Sequence, residues 1–155
     1  MSIENRQGDL LKQPDINVIL HIANLYHTFG AGIAKQIADK YPEAFEADKK
    51  TPHGNNSKLG SFSFAKTDDG KTVINGYAME GLGVGKRQTN YEAIYRILET
   101  IHDQVLDSKK ALVVGIPKFL GCGLAGGDWK IVNAMIESIF LDSKVKLVIV
   151  EFLKS

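Results

Sequence analysis

Val18-Ile19-Leu20, then Gly30-Ala31-Gly32, then the stretch from Gly32 to Lys40 set out a strand, a glycine turn and a helix in succession. The apolar run predicts a strand covered on both faces. In the helix, Ile33 and Ile37 lie opposite Lys35, Gln36, Asp39 and Lys40, and Pro42 argues against its continuation. The same order recurs toward the C-terminus. Residues 111–116 are nearly all apolar, Gly121-Cys122-Gly123-Leu124-Ala125-Gly126-Gly127 forms a second glycine loop, and residues 129–140 place Val132, Met135, Ile136, Ile139 and Phe140 on one helical stripe. Residues 145–150 supply a further strand, and residues 91–106 a further helix through Ile94, Ile97, Leu98, Ile101 and Val105. Residues 61–66 and 72–77 flank Asp68-Asp69-Gly70-Lys71, where Asp69-Gly70 would supply the positive φ angles of a hairpin turn. Strands interleaved with helices predict an α/β fold, a three-layer α/β/α arrangement around a mixed central sheet. Pro52-His53-Gly54-Asn55-Asn56-Ser57-Lys58 reads as a solvated loop.

The chain has 155 residues, 44% hydrophobic and 24% charged, which predicts one globular domain over residues 1–155. A chain of this size buries roughly 68–70% of its unfolded surface, enough for a core without staples. Nineteen Lys and Arg against eighteen Asp and Glu leave a net charge of +1, so whole-chain electrostatics would not capture nucleic acid or an acidic membrane. Cys122 is alone, which excludes an intrachain disulfide and a multi-cysteine zinc site and suits a reducing compartment. Neither a signal-type apolar segment nor a run near the ~18 residues of a membrane span occurs. The expectation is a cytoplasmic monomer with no metal and no cofactor.

Both glycine loops follow a strand and precede a helix, so backbone amides and a helix N-terminus would converge on an anion. Two such loops suggest a diphosphate held between them. Two motif matches fail on detail. Residues 121–126 fit GxGxxG, but Pro117 and three more residues separate them from the strand, and no strand ending in an acidic residue follows about twenty residues on. Gly81-Leu82-Gly83-Val84-Gly85-Lys86 resembles a nucleotide P-loop, yet Glu80 stands at the first glycine position and Arg87 where Ser or Thr would hold magnesium.

Taken together, Gly8-Asp9-Leu10-Leu11, His21-Ile22-Ala23-Asn24, Gly30-Ala31-Gly32-Ile33-Ala34-Lys35, Lys40-Tyr41-Pro42, Ile116-Pro117, Gly121-Cys122-Gly123 and Gly126-Gly127-Asp128-Trp129 resemble the macro domain family over nearly the whole chain. The form with GAGIAK at residues 30–35 and KYP at residues 40–42 resembles the branch containing ADP-ribose-1''-phosphate phosphatases, terminal ADP-ribose glycohydrolases and bacterial antitoxins that reverse DNA ADP-ribosylation. The resemblance implies an ADP-ribose-binding domain, a hydrolase acting at the distal ribose of an ADP-ribosylated macromolecule or of ADP-ribose-1''-phosphate. Its alternative is a non-catalytic module that recognises ADP-ribose.

By the same resemblance Asp9 accepts from the adenine amino group, with the Leu10 and Leu11 amides beside the ring; without it, Asp9 reads as a turn or cap residue. Asn24 would contact the distal ribose or satisfy its own loop. Gly30, Ala31, Gly32 and Ile33 match the loop along the distal ribose and diphosphate. Gly121, Cys122, Gly123, Leu124, Ala125 and Gly126 match the loop that closes over the diphosphate. Phe152 would stack on adenine or pack in the core.

The chain departs from the glycohydrolase lysine mechanism, because Ala125 stands at the position of the assisting aspartate and Leu82 at that of the lysine. Lys86 reads as a solvated loop charge, with contact to the ligand from its glycine loop as the alternative. The remaining catalytic candidates are His27, a residue type suited to general acid or base work but equally a loop histidine without a role, and Asp128, for which a helix N-cap is the favoured alternative. His21 reads as a satisfied core residue, Cys122 as a small group between glycines, and His53 and His102 carry no signal.

Overall fold

The structure, a computed structural model, describes residues 2–81, 88–123 and 125–153. Among these residues six strands form one sheet: β1 (Ile3–Gln7), β2 (Val18–Ala23), β3 (Phe62–Lys66), β4 (Thr72–Tyr77), β5 (Val113–Pro117) and β6 (Lys146–Glu151). Their order is β1-β6-β5-β2-β4-β3. Only β3 runs antiparallel to its neighbour; every other adjacent pair is parallel. The helices are α1 (Gly32–Lys40), α2 (Pro42–Lys49), α3 (Tyr91–Ser108) and α4 (Trp129–Phe140).

The period of two in the strands sorts their side chains onto two cores. Val18, Leu20, Leu147 and Ile149 pack with Ile94, Ile97 and Ile101 of α3 and Val132, Ile136 and Phe140 of α4. Ile19, Val73, Val148 and Val150 pack on the other face with Ile37 of α1 and Ala44 of α2. The expected three-layer α/β/α arrangement with a mixed sheet is what forms, and continuous apolar runs mark the doubly covered strands.

Three local expectations change. Pro42 ends α1, but it also opens α2 at the first helical position, where the missing N–H would have had no partner. Residues 3–7, for which no strand was expected, form edge strand β1, parallel to β6. In the β3–β4 hairpin only Gly70 takes a positive φ, +84°. Asp69 instead accepts from Thr67 and from the Tyr41 hydroxyl at 2.8 Å, so the loop is a turn closed by the Thr67 carbonyl and the Gly70 amide at 3.1 Å. Among the described residues no helix is long and apolar enough to cross a membrane.

Candidate functional site

A cleft of about 660 Å³ opens at the carboxyl ends of β2, β5 and β6, the side of a parallel sheet where ligands bind in open α/β folds. One wall is the first glycine loop running into α1: Asn24, Thr28, Gly30, Ala31, Gly32, Ile33, Ala34 and Gln36. The opposite wall is Pro117 through Gly121 with Gly123 and Ala125, and Leu10, Val150 and Phe152 line it as well.

The first wall has the chemistry expected of an anion site. Ala31 sits at the N-cap of α1 and has no side chain able to cap it, so the amides of the first turn face the cleft without a side-chain partner. Gly32 takes φ +59° there, a conformation costly for any residue with a Cβ. Asn24 holds this loop in shape. Its Nδ2 donates to the Thr28 carbonyl at 2.9 Å and to Thr28 Oγ1 at 2.8 Å, and its Oδ1 accepts from the Tyr26 amide at 2.8 Å. Both amide hydrogens are used, and the capacity left for a ligand is the second lone pair of Oδ1.

The second wall is a glycine loop locked from beneath. Fully buried Thr89 donates through Oγ1 to the Gly121 carbonyl and lies 3.3 Å from the Ala125 carbonyl, which also accepts from the Gln88 amide at 2.7 Å. The Gly127 amide closes the loop onto the Gly121 carbonyl at 3.2 Å. A Cβ on Gly127 would stand 2.6 Å from that carbonyl oxygen, so the position admits glycine alone.

Several sequence candidates lie outside the cleft lining. His27 adopts φ +57° and its ring turns to the far side of its loop, Nε2 lying 3.3 Å from Thr51 Oγ1 and the ring edge-on to His53. Asp128 caps α4: Oδ1 accepts from the Lys130 amide at 2.9 Å, so this helix N-terminus is satisfied internally, unlike that of α1. Cys122 points its thiol at the Leu120 carbonyl, and burial, with Asp128 adding to it, pushes the thiol up to about 11, which keeps it protonated. Asp9 caps the short turn Leu10–Lys12 through Oδ1 and the Leu11 amide at 2.9 Å, leaving Oδ2 free beside the cleft residue Leu10. Leu11 is buried in the core, and Gly126, at φ +78°, shapes the second loop without lining the cleft.

Phe152 is 54% exposed and lines the cleft, which sets aside core packing. His21 is fully buried, as read, but only half satisfied: Nε2 meets Asn75 Oδ1, and Nδ1 has no partner. Leu124, Leu82 and Lys86 lie outside the described residues.

Sequence reasoning missed Thr28, Gln36, Lys118, Phe119 and Thr89. Gln36 lies one turn beyond Gly32 on the polar side of α1, a spacing that would have pointed to it. Among the described lining residues Lys118 is the one ionisable side chain, 3.8 Å from Glu151. No group of three or more His, Cys, Asp or Glu fit to hold a metal occurs among the described residues.

No family profile matches the chain. An uncharacterised 17.5 kDa protein of Enterobacteria phage T4 is 27% identical over 139 residues, covering 86% of this chain and 85% of that protein. An ADP-ribose 1''-phosphate phosphatase of Aspergillus oryzae is 43% identical over 44 residues, 28% of this chain and 22% of that protein. Among solved structures, the macrodomain of Mycobacterium tuberculosis DarG superposes with a TM-score of 0.79 at 26% identity, covering 99% of this chain and 98% of that one. Thermosipho africanus DarTG, solved in complex with ADP-ribose, superposes at 0.76 and 17% identity over 98% of this chain and 42% of that one, a likeness of fold. In strand order, in the paired glycine loops at one cleft and in these superpositions, the chain has the fold of the macrodomains and is similar to them over nearly its whole length.

Proposed function

We propose that the cleft binds the ADP-ribosyl group, and that the protein hydrolyses the bond at the distal ribose of ADP-ribosylated macromolecules or of ADP-ribose-1''-phosphate. The observation that carries the binding is the uncapped N-terminus of α1 facing a second glycine loop across a cleft of nucleotide size. In this pose the diphosphate lies between the two loops. The adenine lies at the end lined by Leu10, Val150 and Phe152, with Asp9 Oδ2 accepting from its amino group. Asn24 Oδ1 orients the distal ribose or a water beside it. The bound ADP-ribose of the Thermosipho relative and the phosphatase similarity support this reading.

A specific observation favours a second reading, recognition without turnover. The described lining offers neither carboxylate nor imidazole, so it holds no general base within reach of a water at the distal ribose. The neutral charge balance and lone cysteine agree with a cytoplasmic monomer that does not depend on nucleic acid for binding. Calorimetry with free ADP-ribose tests the binding; one site per chain is expected, and no binding would sink both readings. Product analysis on ADP-ribosylated protein, ADP-ribosylated DNA and ADP-ribose-1''-phosphate then decides between them. Release of free ADP-ribose from any of the three supports the hydrolase, and inertness toward all three leaves the recognition module.

A further inference from the structure

Phe119 is the unexplained feature of the cleft. It is a bulky residue at φ +69°, a conformation that a Cβ disfavours, and it is 48% exposed and lines the cleft. Neither burial nor turn chemistry accounts for an aromatic at this place, because glycine would make the turn, in which the Cys122 amide donates to the Phe119 carbonyl at 2.7 Å, with less strain.

Register places Phe119 in company. Pro117 of β5 pairs with Val150 of β6, the Lys118 amide continues the ladder to the Val150 carbonyl at 2.8 Å, and Lys118 meets Glu151 at the next step. One residue further along these two neighbouring chains come Phe119 and Phe152. Both follow parallel neighbouring strands, both line the cleft, and each is about half exposed. Supports hold the Phe119 ring in position: Trp129, at the start of α4, meets it edge to face at a centroid distance of 5.8 Å, and Lys118 Nζ stands 5.2 Å from its centre.

We propose that Phe119 is a second aromatic wall of the base subsite, so that the pair Phe119 and Phe152 grips the planar purine of the ligand; this rests on the ADP-ribose reading above. The strained backbone is retained because it turns a π-face toward the cleft that glycine could not supply. Recognition of the base then comes from stacking at the ends of β5 and β6, with Asp9 adding the hydrogen bond that distinguishes adenine.

The test is calorimetry with ADP-ribose and with AMP on wild type, Phe119→Gly and Phe119→Tyr, with thermal melts of each. Phe119→Gly should melt at or above the wild-type temperature, since glycine tolerates the positive φ, yet bind both ligands more weakly, by roughly 5- to 150-fold as for loss of one base–aromatic stack. Phe119→Tyr keeps the π-face and should bind like wild type, which separates stacking from any folding defect. A folded Phe119→Gly with wild-type affinity for both ligands overturns the proposal. So does a loss confined to ADP-ribose, which would move Phe119 to the distal ribose, or a loss in Phe119→Tyr equal to that in Phe119→Gly. Wild type that binds neither ligand would overturn the ADP-ribose reading itself.

Discussion

Gly30 and Gly32 stand two residues apart in the same loop, and their conformations give them different uses as probes. A Cβ at either position meets nothing within 4 Å, so a side chain would project into the open cleft. Gly32 also has φ +59°, so any substitution there adds strain of about 1–2 kcal/mol, whereas Gly30 has no such conformation. Gly30→Glu should therefore keep its melting temperature while losing ADP-ribose binding, by bulk and by repulsion of the diphosphate. Gly32→Glu should lose both binding and some stability. Normal affinity in folded Gly30→Glu would show that the α1 loop does not cradle the phosphates. His27 gives the opposite expectation. With its Nε2 near Thr51 and its ring against His53, His27→Ala should change turnover far less than the ~10²–10⁴-fold expected for loss of a general acid or base. A steady-state loss in that range would return His27 to the catalytic machinery. The glycines of both loops were legible because a glycine between strand and helix is a local signal. The direction in which His27 points was not, because a positive φ at a histidine is fixed by the surrounding loop.

Loops here are positioned by elements distant in sequence, and that is where reading the chain stopped. β2, α1 and α4 were readable because their apolar periods lie within one segment. β1 was not, since Glu4 and Arg6 interrupt its pattern; their partners are Lys146 and Asp15, and an edge strand tolerates such charges. α2 hid behind Pro42, which serves equally as the stop of one helix and the first residue of another. The second glycine loop depends likewise on Thr89, contributed by the segment before α3 and signalled by nothing around it. Thr89→Val removes the hydroxyl at nearly constant volume, but the Gly121 carbonyl keeps the Gly127 amide and the Ala125 carbonyl keeps the Gln88 amide. The stability loss should thus be only the net value of one hydrogen bond, about 0.5–1.5 kcal/mol. The loop, no longer tied from beneath, should bind ADP-ribose several-fold less tightly. A lower melting temperature with unchanged affinity would show that the loop holds its binding geometry without Thr89.

Acid sensitivity of the fold converges on one buried histidine. His21 sits in β2, covered on both faces, with Nε2 2.6 Å from Asn75 Oδ1. Asn75 spends its own amide hydrogens on the Ala44 carbonyl at 2.9 Å and Ser63 Oγ at 3.0 Å, so its oxygen faces His21 and accepts the Nε2 proton. Nδ1 has no partner, and a second proton would be buried there without an acceptor. Burial accordingly pushes the imidazole from its ordinary 6.5 down to about 4, against the opposing effect of the bond to Asn75. The unfolded chain therefore binds a proton between these two values that the folded chain does not. Stability from this group is complete above pH 6.5 and falls, as pH drops toward 4, by about 1.4 kcal/mol per unit. Glu4, Asp15 and Asp69 are held below the ordinary carboxylate range by hydrogen bonds, chiefly from Arg6 for the first two and from Thr67 for the third. Their contributions are lost only at lower pH, so they leave the interval from 6.5 to 5 to His21. Across that interval the protein should lose about 2 kcal/mol, or roughly 4–8 °C in melting temperature for a chain of this length. Because the His21 ring also packs edge-on against Phe29, next to Gly30, the first glycine loop should loosen along with the sheet. His21→Gln keeps an amide donor for Asn75 and cannot be protonated, so its melting temperature should change little over the same range. An equal acid-induced drop in that variant, or a wild-type imidazole seen by nuclear magnetic resonance to protonate near pH 6 in the folded state, would place the acid sensitivity elsewhere.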